Sequence, residues 1–351
     1  MRLLTVPEPG VLREVTVPDP VAGPGQIRIR VACVGVCGSD VEVFTGRRPP
    51  KLVHGHPVLG HEVSGVVDQI GEGVTGIKIG DRATCVEGWG ALADYLVSTP
   101  QNTLVFDDRI PLADGCLLEV LPGVAMAAWD SGVTRGSDVL VIGQGLSGLL
   151  ITALTAIHGC RRLVVVDPIP TKTALAAEFG ATDVWTGRLQ ERAAAIAAAY
   201  PDGFDLSIVA TRECVVNELV PLMRPRSRVV AFGGLEEASI DVMALHRRSV
   251  SLIKEGEMVN GVRQARARWH EALRLVADGL VPLSRLRTHD LPMAEAETAL
   301  ALRSGPGADP EEVAIHVVLH NEMAEGGPTA NNDVVFHGST RGAPRRIRAR
   351  Y

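Results

Sequence analysis

Residues 138–148 read DVLVIGQGLSG, and this stretch decides how the chain is understood. Residues 139–142 form an apolar run of strand length that stops at Gly143. Gln144, Gly145, Leu146, Ser147 and Gly148 follow, and helix formers with apolar residues at helical spacing then continue to His158. Glycine at these three positions permits a tight turn and close backbone approach, so a pyrophosphate can meet the helix N-terminus, where free N–H groups and the helix dipole favour an anion. Three glycines alone carry little weight. Set between a strand and a helix, they mark a dinucleotide-binding turn. The next apolar run, residues 163–166, ends in Asp167, where a carboxylate can accept both ribose hydroxyls of NAD and repel the 2′-phosphate of NADP. Gly143, Gly145, Leu146, Ser147, Gly148 and Asp167 are therefore expected to hold the cofactor, with NAD preferred to NADP. Arg161, Arg162 and Lys172 lie near enough in sequence to work against that preference.

The same rhythm extends outward. Strand-like runs at 139–142, 163–166, 206–210 and 228–232 alternate with helix-like stretches at 147–158, 171–179, 189–200 and 263–277, which predicts βαβ units around a parallel sheet. Gly180 follows the second helix as a C-cap residue. Before residue 110 the runs are short, β-rich and broken by Pro and Gly (26–34, 63–70, 93–97), a pattern that reads as a small β-barrel-like domain. Past residue 283 the alternation stops. A helix at 293–302 and a strand at 313–319 form a return segment expected to pack on the first domain. The Gly/Pro/Asn-rich stretch from Asn321, ending in Arg345, Arg346, Arg348 and Arg350, reads as a disordered tail.

Composition agrees with an α/β fold in two domains. The 351 residues suffice for two cores, and 46% hydrophobic against 22% charged residues excludes a disordered or fibrous chain. With 35 basic and 41 acidic residues the net charge is −6, and no basic run precedes the C-terminus, so nucleic acid is not an expected partner. Apolar runs of strand length exclude a membrane span, and the opening MRLLTVPEPG breaks at Pro and Gly before a signal peptide can form, so a cytoplasmic protein is expected. Cys33, Cys37, Cys85, Cys116, Cys160 and Cys214 then read as core residues, free thiols or metal ligands rather than a disulfide framework.

The first domain carries Cys37, Gly38, Ser39 and Asp40 and, further on, Gly60, His61 and Glu62. A thiolate, an imidazole and a carboxylate offer zinc the borderline ligand set it favours, with room for water or substrate. Taken singly, Cys37 reads equally as a buried core thiol and His61 as a satisfied loop histidine. Together with Gly65, Gly71 and Val74, however, the Gly60-His61-Glu62 segment resembles the signature of zinc-containing alcohol and polyol dehydrogenases of the medium-chain dehydrogenase/reductase superfamily. Residues 37–40 resemble their upstream ligand segment, and the Gly-rich turn follows in the right order.

The resemblance implies a GroES-like catalytic domain (1–122 with return segment 284–320) and a Rossmann domain (123–283) enclosing a cleft, with 321–351 as the tail. It implies one catalytic zinc. Cys37 and His61 match metal ligands, and Glu62 matches a carboxylate on the metal or just behind it. Glu119 stands where relatives carry the remaining ligand, a Cys in many alcohol dehydrogenases and a Glu in polyol-type members. Asp40 matches the acid that orients the metal-binding imidazole, Ser39 the hydroxyl that takes the alcohol proton, and Lys172 a lysine that reaches the adenosine ribose. A homodimer or homotetramer acting on a small-molecule alcohol or carbonyl is expected.

Departures from the family are also legible. Residues 81–91 hold the lone Cys85 where many relatives insert a lobe with four close cysteines, so a second, structural zinc is not expected. Val120 replaces a usual Pro, and Glu42 replaces the histidine that ends the proton relay, leaving His54, His56 or water as substitutes. The activity implied is hydride transfer between a secondary or polyhydroxylated alcohol (sugar, polyol or amino alcohol) and NAD. A zinc-free quinone or enoyl reductase-like enzyme and a non-catalytic nucleotide-binding protein are the alternatives. Lys254, Glu255, Gly256 and Glu257 fall where polyol-type relatives place a substrate-side arginine, and read either as a solvated loop or as a wall for a polyhydroxylated or amine-bearing substrate. Trp89 reads as a pocket, core or interface residue.

Overall fold

The computed structural model describes residues 1–86, 88–232, 239–255, 263–304 and 314–322. A six-stranded parallel sheet runs in the order Asp183–Thr186, Arg162–Asp167, Asp138–Ile142, Phe204–Val209, Met223–Phe232, Ser251–Glu255. In chain order this is 3-2-1-4-5-6, the doubly wound Rossmann arrangement. Its first strand is buried along its whole length, as a strand covered by helices on both faces must be, which is why it reads as a continuous apolar run without alternation. The order reverses beside that strand, so a crevice opens at its carboxyl end, where Gly143 begins the turn.

The strands of the N-terminal half form two further sheets. Four short strands run in the order Val11–Thr16, Arg2–Glu8, His56–Val58, Lys51–Val53. A seven-stranded sheet runs Arg287–Pro292, His316–His320, Ile27–Gly35, Glu62–Ile70, Arg82–Cys85, Thr103–Val105, with Tyr95–Ser98 also paired to Ile27–Gly35. The return segment therefore supplies two strands of this sheet. Residue 313, expected to open the last strand, lies outside the described residues. Asn321, expected in the tail, is instead buried: its backbone N–H donates to Ala32 O at 2.8 Å, and its side-chain oxygen accepts from Arg2 Nη2 at 2.7 Å. Residues 323–351 lie outside the described residues.

The largest core cluster joins the two halves, running from Ala32 and Cys33 through Leu117 and Leu121 to Val139, Val141 and Trp269. Each fully buried Leu, Ile or Val there contributes roughly 1.5–3 kcal/mol relative to exposure. Trp269, on helix Arg263–Ala277, also donates its ring N–H to Leu118 O at 2.7 Å, which fixes the chain immediately before Glu119. Among the described residues no single helix is long and apolar enough to cross a membrane.

Candidate functional site

Strand Ile27–Gly35 feeds directly into helix Gly38–Phe44, and Cys37 is the helix N-cap. Strand Glu62–Ile70 lies antiparallel beside the first, with Glu62 opposite Gly35, and so brings His61 and Glu62 to the same end. Donor atoms of Cys37, His61 and Glu62 lie within 4.8 Å of one another. Glu119 is not a member of this group. It follows the short helix Cys116–Leu118 and caps its C-terminus. Burial pushes the Cys85 thiol up to about 12, and both Glu119, which raises it, and His61, which lowers it, act on this thiol, so the two charges share a neighbourhood.

Asp40 is almost wholly buried, and both its oxygens are engaged: one accepts the Cys37 N–H at 2.9 Å, the other the Gly60 N–H at 2.7 Å. These bonds lock together the two loops that carry the donors. The second oxygen also stands 3.4 Å from His61 Nδ1. Burial opposes a charged His61, but Asp40 and then Cys37 outweigh it and raise its pKa well above the ordinary range. Trp89 stacks on the His61 ring with centroids 4.5 Å apart, which settles that residue beside the cluster.

Behind Glu62 stands a residue that sequence reading passed over. His316 is fully buried, and its Nε2 lies 3.1 Å from Glu62 Oε2. Gly35 makes room for the pair, since a Cβ there would fall 2.3 Å from His316 Nε2. Burial alone would raise the Glu62 carboxyl, but His316, then His61 and Arg303, outweigh it and hold it at about 2. Glu62 is thus an anion kept ready inside the protein. His61 Nδ1 faces Asp40 and Glu62 Oε2 faces His316, whereas Ser39 Oγ is buried without a hydrogen-bond partner, an arrangement that fits a group supplied from outside the chain. A sulfur, nitrogen and oxygen donor set converging on one point fits zinc in particular.

Glu42 does not offer a free carboxylate for proton relay. It is ion-paired with Arg212, which reaches over from the loop after strand Phe204–Val209. His54 sits on the exposed turn of the hairpin between Lys51–Val53 and His56–Val58, with φ +50°.

At the nucleotide turn Gly143 has φ +87°, in the left-handed region, and a Cβ on Gly148 would fall 1.9 Å from Gly143 O, so neither position tolerates a side chain. Gly145 caps helix Leu146–His158. Asp167 is buried and held by two backbone donors, Gln144 N–H at 2.7 Å and Ile169 N–H at 2.9 Å. A cavity of about 290 Å³ is lined by Gly143, Asp167, Lys172, Arg188, Thr211 and Val215 among others. Burial lowers the Lys172 pKa, with Asp167 pulling the other way.

Arg161 and Arg162 are far from this cavity. Arg162 opens the strand that Asp167 closes, Arg161 pairs with Asp138 at the same remote end, and Arg162 lies 5.7 Å over the Tyr200 ring. Their nearness in sequence to Asp167 spans the length of a strand. Arg188 shares the cavity wall with Lys172, and it pairs with Glu213 at 3.4 Å. Lys254 and Glu255 end the edge strand Ser251–Glu255, and Gly256 and Glu257 lie outside the described residues.

Residues 23–108 match the alcohol dehydrogenase GroES-like domain, and residues 147–278 match the zinc-binding dehydrogenase family. The chain belongs to the zinc-containing medium-chain dehydrogenases. Its fold is the GroES-like domain joined to a Rossmann domain. Sorbitol dehydrogenase of Bombyx mori is 24% identical over 334 residues, covering 86% of this chain and 94% of the relative. L-arabinitol 4-dehydrogenase of Talaromyces emersonii is 29% identical, covering 81% and 82%. The structure of galactitol-1-phosphate dehydrogenase from Escherichia coli superposes with a TM-score of 0.77 at 21% identity, covering 91% of this chain and all of that one.

The return strand contributes one more cluster to this dehydrogenase. Cys33 Sγ lies 3.6 Å from His320 Nδ1, His320 Nε2 lies 2.6 Å from Asp290, and Arg287 donates to the same carboxylate at 2.8 Å. Burial works against a charged His320, yet Asp290 and Cys33 outweigh it and carry its pKa up to about 10. A histidine raised on folding lends stability that is complete below its ordinary pKa near 6.5 and is lost as pH rises through about 10. The parent's Tm is therefore expected to fall between pH 7 and 10, and His320→Gln to flatten that fall by about 2–4 °C, the shift that roughly 1 kcal/mol makes in a domain of this size. Parallel pH profiles by calorimetry would refute the assignment.

Proposed function

We propose that this chain is a zinc-dependent oxidoreductase that transfers a hydride between a secondary or polyhydroxylated alcohol and NAD. The observation that carries the reading is the convergence of Cys37, His61 and Glu62 within 4.8 Å beside the buried, unpartnered hydroxyl of Ser39. In this reading Cys37, His61 and Glu62 hold one zinc, and Glu119 completes the set from the neighbouring turn. Bound there, zinc would polarise an alcohol or carbonyl oxygen as a Lewis acid, and the nicotinamide would exchange the hydride.

The chain's own residues do the rest. Asp40 fixes the Cys37 and Gly60 loops and, facing His61 Nδ1, leaves Nε2 as the ring nitrogen for the metal. Ser39 Oγ takes the alcohol proton. Gly143, Gly145, Leu146, Ser147 and Gly148 receive the pyrophosphate at the helix N-terminus. Asp167, with each oxygen already oriented by a backbone N–H, accepts the ribose hydroxyls, and Lys172 lies against the same ribose. The division into a catalytic domain (1–122 with 284–320) and a cofactor domain (123–283) belongs to this reading, as do a cytoplasmic location and a homodimer or homotetramer. The relatives named for sorbitol and L-arabinitol support a polyhydroxylated substrate.

The test is a panel of polyols, amino alcohols, sugars and simple alcohols, assayed with NAD and with NADP on protein of measured zinc content. NAD-linked turnover of at least one polyol is expected, and Asp167→Ala should narrow the preference for NAD by about tenfold or more. Absence of zinc after remetallation, or turnover confined to quinones or enones, would overturn the reading. A preference of the parent for NADP would assign the deciding role to Arg188 or Lys172 instead.

A further inference from the structure

We propose that Arg212 is the cation that receives the cofactor's pyrophosphate, and that Glu42 holds it in reserve until the cofactor enters. The inference rests on the dinucleotide reading above and adds to it a residue and a competition. Arg212 starts beside the phosphate turn. A Cβ on Gly143 would fall 3.2 Å from the Ala210 carbonyl carbon and from Thr211 Cβ, so the backbone leading into Arg212 packs on the Gly-rich loop itself. Its side chain then crosses to the first domain. There it pairs with Glu42, and its Nη2 lies 3.1 Å from where a Cβ on Gly38 would stand. A side chain at position 38 would make the guanidinium give by a few tenths of an ångström, so the glycine next to Cys37 leaves Arg212 room in this place.

A cation thus bridges the Gly-rich turn and the start of the helix that carries Cys37 and Ser39. A dinucleotide that sets its ribose on Asp167 and its nicotinamide near Ser39 has to lay its pyrophosphate across the same interval. The Glu42 pair is partly open to solvent at both ends, and pairs of that kind contribute little stability. An arginine fork matches two phosphate oxygens at once and binds them more strongly than one shared carboxylate oxygen. Entry of the pyrophosphate therefore displaces Glu42, which in the free protein acts as a built-in competitor.

This predicts effects of opposite sign from two neighbouring charges. Calorimetric titration of the full-length chain with ADP-ribose, which carries the pyrophosphate, and with AMP, which does not, separates them. Arg212→Gln should weaken ADP-ribose about tenfold or more, Glu42→Gln should tighten it about fivefold, and the double variant should match Arg212→Gln alone. AMP binding should stay within about twofold throughout, which also reports that each variant is folded. Unchanged or weakened ADP-ribose binding in Glu42→Gln, tightening that persists without Arg212, or an equal loss for AMP would each overturn the proposal. If the parent binds neither nucleotide, the dinucleotide reading itself fails. If the parent binds both and the variants do not differ from it, only the role of Arg212 fails.

Discussion

Replacing Cys37 by alanine is expected to empty the metal site and to lower turnover by at least about a thousandfold, the largest effect of any single change considered for this chain. Removing the thiolate takes away the one sulfur donor and leaves His61 and Glu62 of the cluster with Glu119 from the neighbouring turn, a set without its strongest ligand that is expected to hold zinc far more weakly. The fold should survive, because alanine keeps the Cys37 N–H bond to Asp40 and loses only the weak sulfur half of the helix-capping pair. Elemental analysis should show zinc falling from about one per chain to a small fraction, with a thermal transition still cooperative. A variant that retains full zinc, or one that loses its zinc and keeps its turnover, would refute the placing of the metal.

Ser39→Ala should act differently, lowering turnover by about a hundredfold while zinc stays bound. The Ser39 hydroxyl is buried beside the cluster with no partner, and Glu42, one helical turn further on, is engaged by Arg212 and cannot serve as an open base. In the proposed reading, proton removal therefore begins at Ser39. Stability gives an independent check. A buried hydroxyl without a partner costs its desolvation, so alanine at this position should leave Tm unchanged or slightly raised. A marked loss of stability would recast Ser39 as a structural residue, and unchanged turnover at full zinc would remove it from the proton path.

The parts of this protein that could be read in the sequence are those whose cause is local. Residues 139–142 and the glycines after them declare a buried parallel strand and a phosphate turn because strand, turn and helix start all lie within about a dozen residues. The strand Arg2–Glu8 escaped notice since Pro7 interrupts its pattern, and Ser251–Glu255, at the sheet edge, lacks the buried apolar run that marks the central strands. Cys37, His61 and Glu62 were legible as a donor set, and as ligands through the resemblance of their segments to those of zinc-containing dehydrogenases. His316 was not, since one histidine in an apolar strand looks like any core residue until a strand from the other end of the chain brings Glu62 against it. Arg212 carried no signal in the sequence, and only its pair with Glu42 and its approach to Gly38 show where its guanidinium goes. Arg161 and Arg162 erred in the opposite sense: proximity to Asp167 along the chain becomes separation when the intervening residues are fully extended.

The pairing of His316–His320 with Ile27–Gly35 also dictates an order of events during synthesis. Cys33 and His320, directly opposite each other, are 287 residues apart. At roughly 5–20 residues per second, a ribosome needs on the order of 15–60 s to deliver the second after the first. All six strands of the parallel sheet are made in that interval, so the later half can close while the earlier one still waits for an inner neighbour. Until His316 arrives, the nascent chain carries Glu62 without the buried histidine that faces it, open to whatever metal or protease the surroundings hold. The half that is translated first is the half that finishes last.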